Sequence, residues 1–148
     1  MEDRIGEQLA AFDRLYKEMD EGYHLYAKGR GLSDTALWLL YSLYERGAAQ
    51  SQRELCSAWH YPPQTVNSAI KALEERGLVG LVPIPGNRKN KQVLLTPKGE
   101  EEARRVVLPL MEAERAAFRD LGEGEREALL SLTRRYVGLL WEKMASAG

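Results

Sequence analysis

The sequence predicts a mainly α chain that carries one small β-hairpin. Three observations predict it. From Pro62 to Gly77, the residues Val66, Ala69, Ile70 and Leu73 recur at helical spacing and form one apolar stripe. Two short apolar runs follow, Val79 to Ile84 and Gln92 to Leu95, separated by the turn-prone segment Gly86-Asn87-Arg88-Lys89-Asn90-Lys91. Long helical patterns occupy both ends of the chain. Helix, short helix, turn, helix and hairpin is the order of a winged helix-turn-helix. The long terminal patterns predict a helical dimerisation region made from both termini.

The first helix is expected from about Glu2 to Ala27. Ile5, Leu9, Phe12, Tyr16, Met19, Tyr23 and Tyr26 alternate by four and three, a heptad-like seam that asks for a partner helix. Lys28-Gly29-Arg30-Gly31 breaks the pattern. Ser33 or Asp34 then caps a second helix, Thr35 to about Arg46, ended by Gly47. Ser51 and Glu54 have capping-box spacing, which opens a third helix from Gln52 to about Trp59 with Leu55 and Cys56 inward. Tyr61-Pro62-Pro63 forms the turn. The fourth helix follows and ends at Gly77 in a left-handed cap, with Leu78 as the apolar residue beyond. Pro83 and Pro85 place the hairpin's first strand at an edge or strand end. Thr96 caps a fifth helix with Pro97 at its first position, expected to reach about Leu121 and to bend at Pro109. Gly122 and Gly124 separate it from a sixth helix, about Glu125 to Met144. The expected organisation is a dimerisation helix at 1–31, a winged helix-turn-helix DNA-binding domain at 32–98, and C-terminal dimerisation helices at 99–148.

The polar face of the fourth helix carries Gln64, Thr65, Asn67, Ser68 and Lys71, none of them acidic; Glu74 and Glu75 sit towards its end. A recognition helix needs this arrangement, because its N-terminal residues meet base edges in the major groove. An ordinary core helix with a solvated outer face has the same stripe. The hairpin tip adds weight. Arg88, Lys89 and Lys91 follow the helix without an acid among them, a pattern suited to phosphates or a minor groove, although lysines also protect edge strands from pairing. Ser51 and Gln52, at a helix N-terminus, are weaker candidates for a phosphate contact.

Composition narrows the function classes. The 148 residues are 29% charged with a formal net charge of −1, so the whole chain is not a basic nucleic-acid binder. The charge is uneven. Thr65 to Lys98 holds six bases against two acids, and Met1 to Asp34 five bases against eight acids. A single cysteine, Cys56, excludes an internal disulfide and fits a reducing compartment. No apolar run approaches the roughly 20 residues that cross a bilayer, and the charged N-terminus lacks a signal-peptide core, so a cytoplasmic location is expected. Two histidines, His24 and His60, form no His/Cys/carboxylate cluster with metal-ligand spacing. Neither an enzyme, nor a bound cofactor, nor a metal site is expected.

With these elements in order, the chain resembles the MarR family of bacterial transcriptional regulators over nearly its whole length. The resemblance rests on Leu32-Ser33, on Ser51-Gln52-Arg53-Glu54-Leu55, and on Gln64-Thr65-Val66-Asn67 with Leu73-Glu74-Glu75-Arg76-Gly77-Leu78-Val79. The wing end Val93-Leu94-Leu95-Thr96-Pro97-Lys98-Gly99 completes it. It implies a homodimer that presents two recognition helices to a palindromic operator on double-stranded DNA. It also implies regulation of nearby genes, as a repressor in the main reading, relieved by a small aromatic ligand. One departure concerns the wing. The family's acidic residue before the wing arginine is absent from Gly86-Asn87-Arg88-Lys89, which leaves Asn87 to hold Arg88 by a neutral hydrogen bond. The family pocket would draw on Tyr16, Tyr23, Tyr26, Trp38 and Tyr41, although aromatic residues at helical spacing are more often core. Two alternatives remain open from the sequence: a winged helix that binds a protein without operator recognition, and redox sensing through Cys56, for which a small buried hydrophobe is the default.

Overall fold

The structure is a computed structural model that describes Glu2–Gly148; Met1 and the side chains of Glu2 and Arg88 lie outside the described residues. The element order is α1 (Glu2–Lys28), α2 (Asp34–Arg46), β1 (Gln50–Ser51), α3 (Gln52–Trp59), α4 (Pro63–Glu75), β2 (Val79–Ile84), β3 (Asn87–Leu95), α5 (Pro97–Asp120) and α6 (Glu123–Ala147). The chain divides into two compact units, Met1–Leu108 and Pro109–Gly148.

In the first unit α2 is the central element. Ala36, Leu37, Leu39, Leu40 and Leu43 are all buried, which is more than one stripe, and α2 meets α1, α3, α4 and β3. Its ends follow from local chemistry. Ser33 Oγ accepts the Ala36 N–H at 3.1 Å, and Gly47 closes the helix at φ 66. Val66, Ala69, Ile70 and Leu73 of α4 complete the core with Leu55 of α3 and Val93 of β3. Cys56, expected to point inward beside Leu55, is only half-buried, because the eight-residue α3 offers the core one line of contact.

The sheet has three antiparallel strands in the order β1-β3-β2. The two-residue β1, which no sequence pattern predicts, pairs Gln50 with Val93 and Ser51 with Gln92. The expected six-residue basic loop is also different. Pro85 and Gly86 make the turn, Gly86 having φ 78, and β3 already starts at Asn87. Pairing jumps from Pro83↔Lys91 to Ile84↔Asn87, so residues 88–90 bulge out of β3. Asn87 Oδ1 organises that bulge by accepting the N–H groups of Lys89 (3.1 Å) and Asn90 (3.3 Å). A short side chain that bonds its own following backbone is the usual reason for asparagine in such a turn.

One junction ties α4, the wing and α5 together. The N–H of Gly77 reaches Glu74 O and that of Leu78 reaches Leu73 O, closing α4 with glycine at φ 73. Thr96 Oγ1 donates to Gly77 O at 2.6 Å and accepts from Gly99 N at 3.0 Å, while Thr96 N donates to Leu78 O. Lys98 Nζ donates to Arg76 O. Gly99 sits so close to the Leu78 backbone that an added Cβ would stand 1.8 Å from Leu78 O. The fifth helix then continues through Pro109 as one helical element to Asp120.

In the second unit α6 opens on Gly122, whose N–H donates to the Glu125 carboxylate at 2.7 Å. No residue of α6 is buried, and Leu129, Leu132, Tyr136, Leu140 and Trp141 stay exposed. The seam on α1 is likewise open: Ile5, Leu9, Phe12, Tyr16 and Met19 are exposed, Ile5 to 68%. No helix among the described residues is long and apolar enough to cross a membrane.

Replacing Gly99 by alanine must push α5 off the Leu78 backbone. Overpacking of this kind costs roughly 1–3 kcal/mol, and a urea melt of Gly99→Ala should show that loss. The α3 capping box makes a second prediction. The Ser51 N–H, bonded to Glu54 at 3.1 Å, holds the Glu54 carboxyl below the usual value near 4.5, with Ser51 Oγ and Arg46 acting in the same direction. A folded-state pKa below the unfolded one means that the ionised form favours folding. The contribution is therefore complete above the unfolded-state value and is lost as pH falls through the folded-state pKa. The melting-temperature gap between wild type and Glu54→Gln should be constant near neutrality and shrink on acidification below about 4.5; a gap independent of pH would show that the charge has no part in the cap.

Candidate nucleic-acid interface

The fourth helix separates its two faces completely. Val66, Ala69, Ile70 and Leu73 are buried, while Gln64, Thr65, Asn67, Ser68 and Lys71 are all exposed. Pro62 precedes the helix in an extended conformation and no side chain caps its first turn, so that turn keeps its outward N–H groups. Glu74 and Glu75 lie at the far end, which leaves the first two turns free of carboxylates.

What sets the angle of α4 is the turn before it. His60 caps α3 at φ 55, the only residue other than glycine with positive φ among those described, and the N–H groups of His60 and Tyr61 both reach Cys56 O. Burial raises the Tyr61 hydroxyl pKa above its usual value near 10, with the Asp34 carboxylate adding to the effect and a hydrogen bond to Thr35 opposing it. The phenol is therefore protonated at neutral pH. Gln52 Nε2 donates to Pro63 O at 3.1 Å and ties the start of α3 to the start of α4.

That bond bears on two of the residues that the sequence offers as phosphate contacts. Ser51 Oγ accepts the Glu54 N–H, and Ser51 N donates to Glu54, so both polar groups serve the cap. The Gln52 amide nitrogen is turned towards α4. Lys89 and Lys91 of the wing are exposed on β3, and Arg88 lies between Asn87 and Lys89 with its side chain outside the described residues. The Asn87 carboxamide oxygen, expected to hold that arginine, is taken by the amides of Lys89 and Asn90.

Between α3, α4 and the wing runs a groove of about 460 Å³. One wall is the start of α3, the other is Lys89, Asn90 and Lys91, and Asn67 of α4 reaches its edge. It therefore brings together Asn67, Lys89 and Lys91, which are far apart in the chain. It also includes Arg53 and Asn90, which the sequence pattern does not single out. Nothing in the spacing of Arg53 distinguishes it from an ordinary surface arginine.

The aromatic residues pack on one another. Trp38 stacks on Trp59 at 4.7 Å and meets Tyr23 at 4.9 Å and Tyr41 at 5.3 Å between ring centroids. The indole N–H of Trp59 donates to Ser42 Oγ. The Tyr26 hydroxyl donates to Val106 O, and Arg30 lies 3.4 Å over its ring. Tyr16 remains exposed on α1. Trp59 lies outside the aromatic set of α1 and α2 that the helical spacing suggests, and it is the member that links this cluster to the helix before the recognition turn.

Residues 30–89 match the model of the MarR family. No curated protein matches the chain significantly. Solved structures share its fold. A MarR family regulator from Neisseria meningitidis is 18% identical, with 95% of this chain and 99% of that one covered at a TM-score of 0.80. A MarR family transcriptional regulator from Listeria monocytogenes, complexed with 26mer DNA, is 20% identical, with 91% and 89% covered and a TM-score of 0.72. NadR in complex with 4-hydroxyphenylacetate is 18% identical, with 88% and 89% covered and a TM-score of 0.69. With the family's model matched across the helix-turn-helix and into the wing, on a fold shared with solved MarR regulators, the chain is similar to the MarR family of winged helix-turn-helix regulators.

Proposed function

We propose that the protein is a sequence-specific transcriptional repressor that binds a palindromic operator as a homodimer and releases it on binding a small aromatic ligand. The observation that carries the reading is the exposed, acid-free face of α4, Gln64, Thr65, Asn67, Ser68 and Lys71, set beside a cationic wing. Glutamine and asparagine pair with adenine edges, and each good bidentate contact discriminates by roughly 1–3 kcal/mol. Lys89 and Lys91 neutralise phosphates, and Arg88 enters the minor groove. The match of residues 30–89 to the MarR family model supports DNA as the partner, since members of that family are transcription factors and not enzymes. The Listeria neighbour was solved with DNA and NadR with a phenolic acid, which favours both a DNA and an aromatic-ligand partner for this chain.

The dimer is supported by apolar surface. The seam of α1 and the apolar residues of α6 are too extensive to leave in water on a monomer, and a second copy of the chain is the partner that always accompanies the first. In this organisation the helices before residue 32 and after residue 98 hold the dimer, and the segment between them reads DNA.

Selection of bound genomic fragments at two salt concentrations should enrich an inverted repeat whose half-sites lie one helical turn apart, about 34–36 Å. Failure to enrich any sequence at low salt, with or without cell metabolites, would remove operator binding and favour a protein partner. Arg88→Ala should weaken the selected operator; unchanged binding would take the wing out of the proposal. Light scattering should give twice the chain mass. Leu132→Glu, which would put a charge into the proposed dimer contact at a cost of several kcal/mol, should shift the protein towards monomer and lower operator affinity in parallel.

A further inference from the structure

We infer that Gln52 is a positioning residue: from the start of α3 it holds the start of α4, and it thereby sets how well that helix discriminates between sequences without itself touching DNA. The inference rests on the DNA-binding reading above and gives selectivity a determinant outside the recognition face.

The two ends of α4 are fastened differently. Its last turn is bonded into the junction at Leu78, through Gly77, Thr96 and Lys98. Its first turn starts from Pro62 and Pro63, which have no N–H to donate, and no side chain caps it. The residues before them bond backwards: the N–H groups of His60 and Tyr61 both end on Cys56 O of α3. Gln52 supplies a bond in the forward direction, from Nε2 to Pro63 O at 3.1 Å, across eleven residues of sequence. A carbonyl oxygen can only accept, so the carboxamide must turn its NH2 group to α4.

The donor is held in its turn. Gln52 is the first residue of α3 and is half-buried, while Arg53 beside it is exposed. Directly before it, Ser51 exchanges hydrogen bonds of 3.1 Å with Glu54 in both directions, so the backbone from which the Gln52 side chain springs is fixed. Pro63 is followed at once by Gln64, Thr65, Asn67 and Ser68 of the reading face. Pro62 has φ −63, and each proline ring removes one backbone freedom. A shift of Pro63 therefore carries the first turn of α4 with it. Bidentate contacts to base edges need that turn at one distance and tilt, whereas attraction to phosphates is independent of sequence and tolerates displacement. Freeing Pro63 consequently costs discrimination and spares general affinity.

The test compares two labelled duplexes of equal length by fluorescence anisotropy at one salt concentration. One is the genomic fragment that the wild type enriches most, and the other has the same base pairs in scrambled order. The proteins are wild type, Gln52→Met, which keeps the length and loses the donor, and Gln52→Lys, which restores a donor. Gln52→Met should bind the selected fragment roughly five- to tenfold more weakly, as the loss of a hydrogen bond requires, with unchanged affinity for the scrambled duplex. Gln52→Lys should recover the ratio of the two affinities, and circular dichroism melts should show all three proteins folded alike. Equal losses of Gln52→Met on both duplexes would mean that Gln52 contacts the DNA backbone directly, which overturns the positioning role. No loss on either duplex overturns it too. In both cases the wild type still prefers its fragment, and the DNA-binding reading stands. A wild type that enriches no fragment, or that holds the two duplexes equally, overturns both.

Discussion

Everything the protein presents outward depends on the junction at Leu78. There the last turn of α4, the first strand of the wing and the first turn of α5 share one small set of hydrogen bonds. Thr96 is bonded on both sides, to Gly77 O and from Gly99 N, and its own N–H reaches Leu78 O. The closeness of Gly99 to the Leu78 backbone leaves no room for a side chain. The end of α4, the wing and the start of α5 are thereby joined at one point.

The electrostatic design is local. The net charge of −1 conceals a polar, acid-free helix face and a cationic wing. Elsewhere acids are used up close by: Glu54 with Arg46 and with the cap of α3, Glu102 with Arg105. These exposed pairs contribute little to stability. Arg53, Lys89 and Lys91 have no ion-pair partner among the described residues.

Asn87 shapes the wing locally. The family resemblance implies a carboxylate that orients the wing arginine, and the sequence offers Asn87 as its neutral replacement. In the fold, the carboxamide oxygen accepts two backbone N–H groups at the bulge of residues 88–90, and the Arg88 side chain lies outside the described residues. At the other end of the helix-turn-helix, the Trp38–Trp59 stack and the Trp59–Ser42 hydrogen bond fasten the end of α3 to α2, just ahead of the left-handed turn at His60. The recognition helix is set in place from both sides.

By itself the sequence determined the helices, their caps and the face that α4 turns outward. Those features rest on chemistry between residues three or four apart: Ser51 with Glu54, Thr96 with Gly99, and the stripe Val66, Ala69, Ile70 and Leu73. The terminal helices were legible at most of their ends for the same reason. Tertiary structure decided what joins distant segments. The strand β1 has two residues, too few to show any period, and exists because β3 has a free edge beside Gln50 and Ser51. The wing's bulge depends on register across two strands, which composition does not report. The bond from Gln52 to Pro63 O forms only once α3 is placed against α4, and Arg53 lines a groove with Lys89 and Lys91 only once the wing is placed across from it. Local hydrogen bonding and periodicity are written in neighbouring residues; a groove is made by residues that only the folded chain brings together.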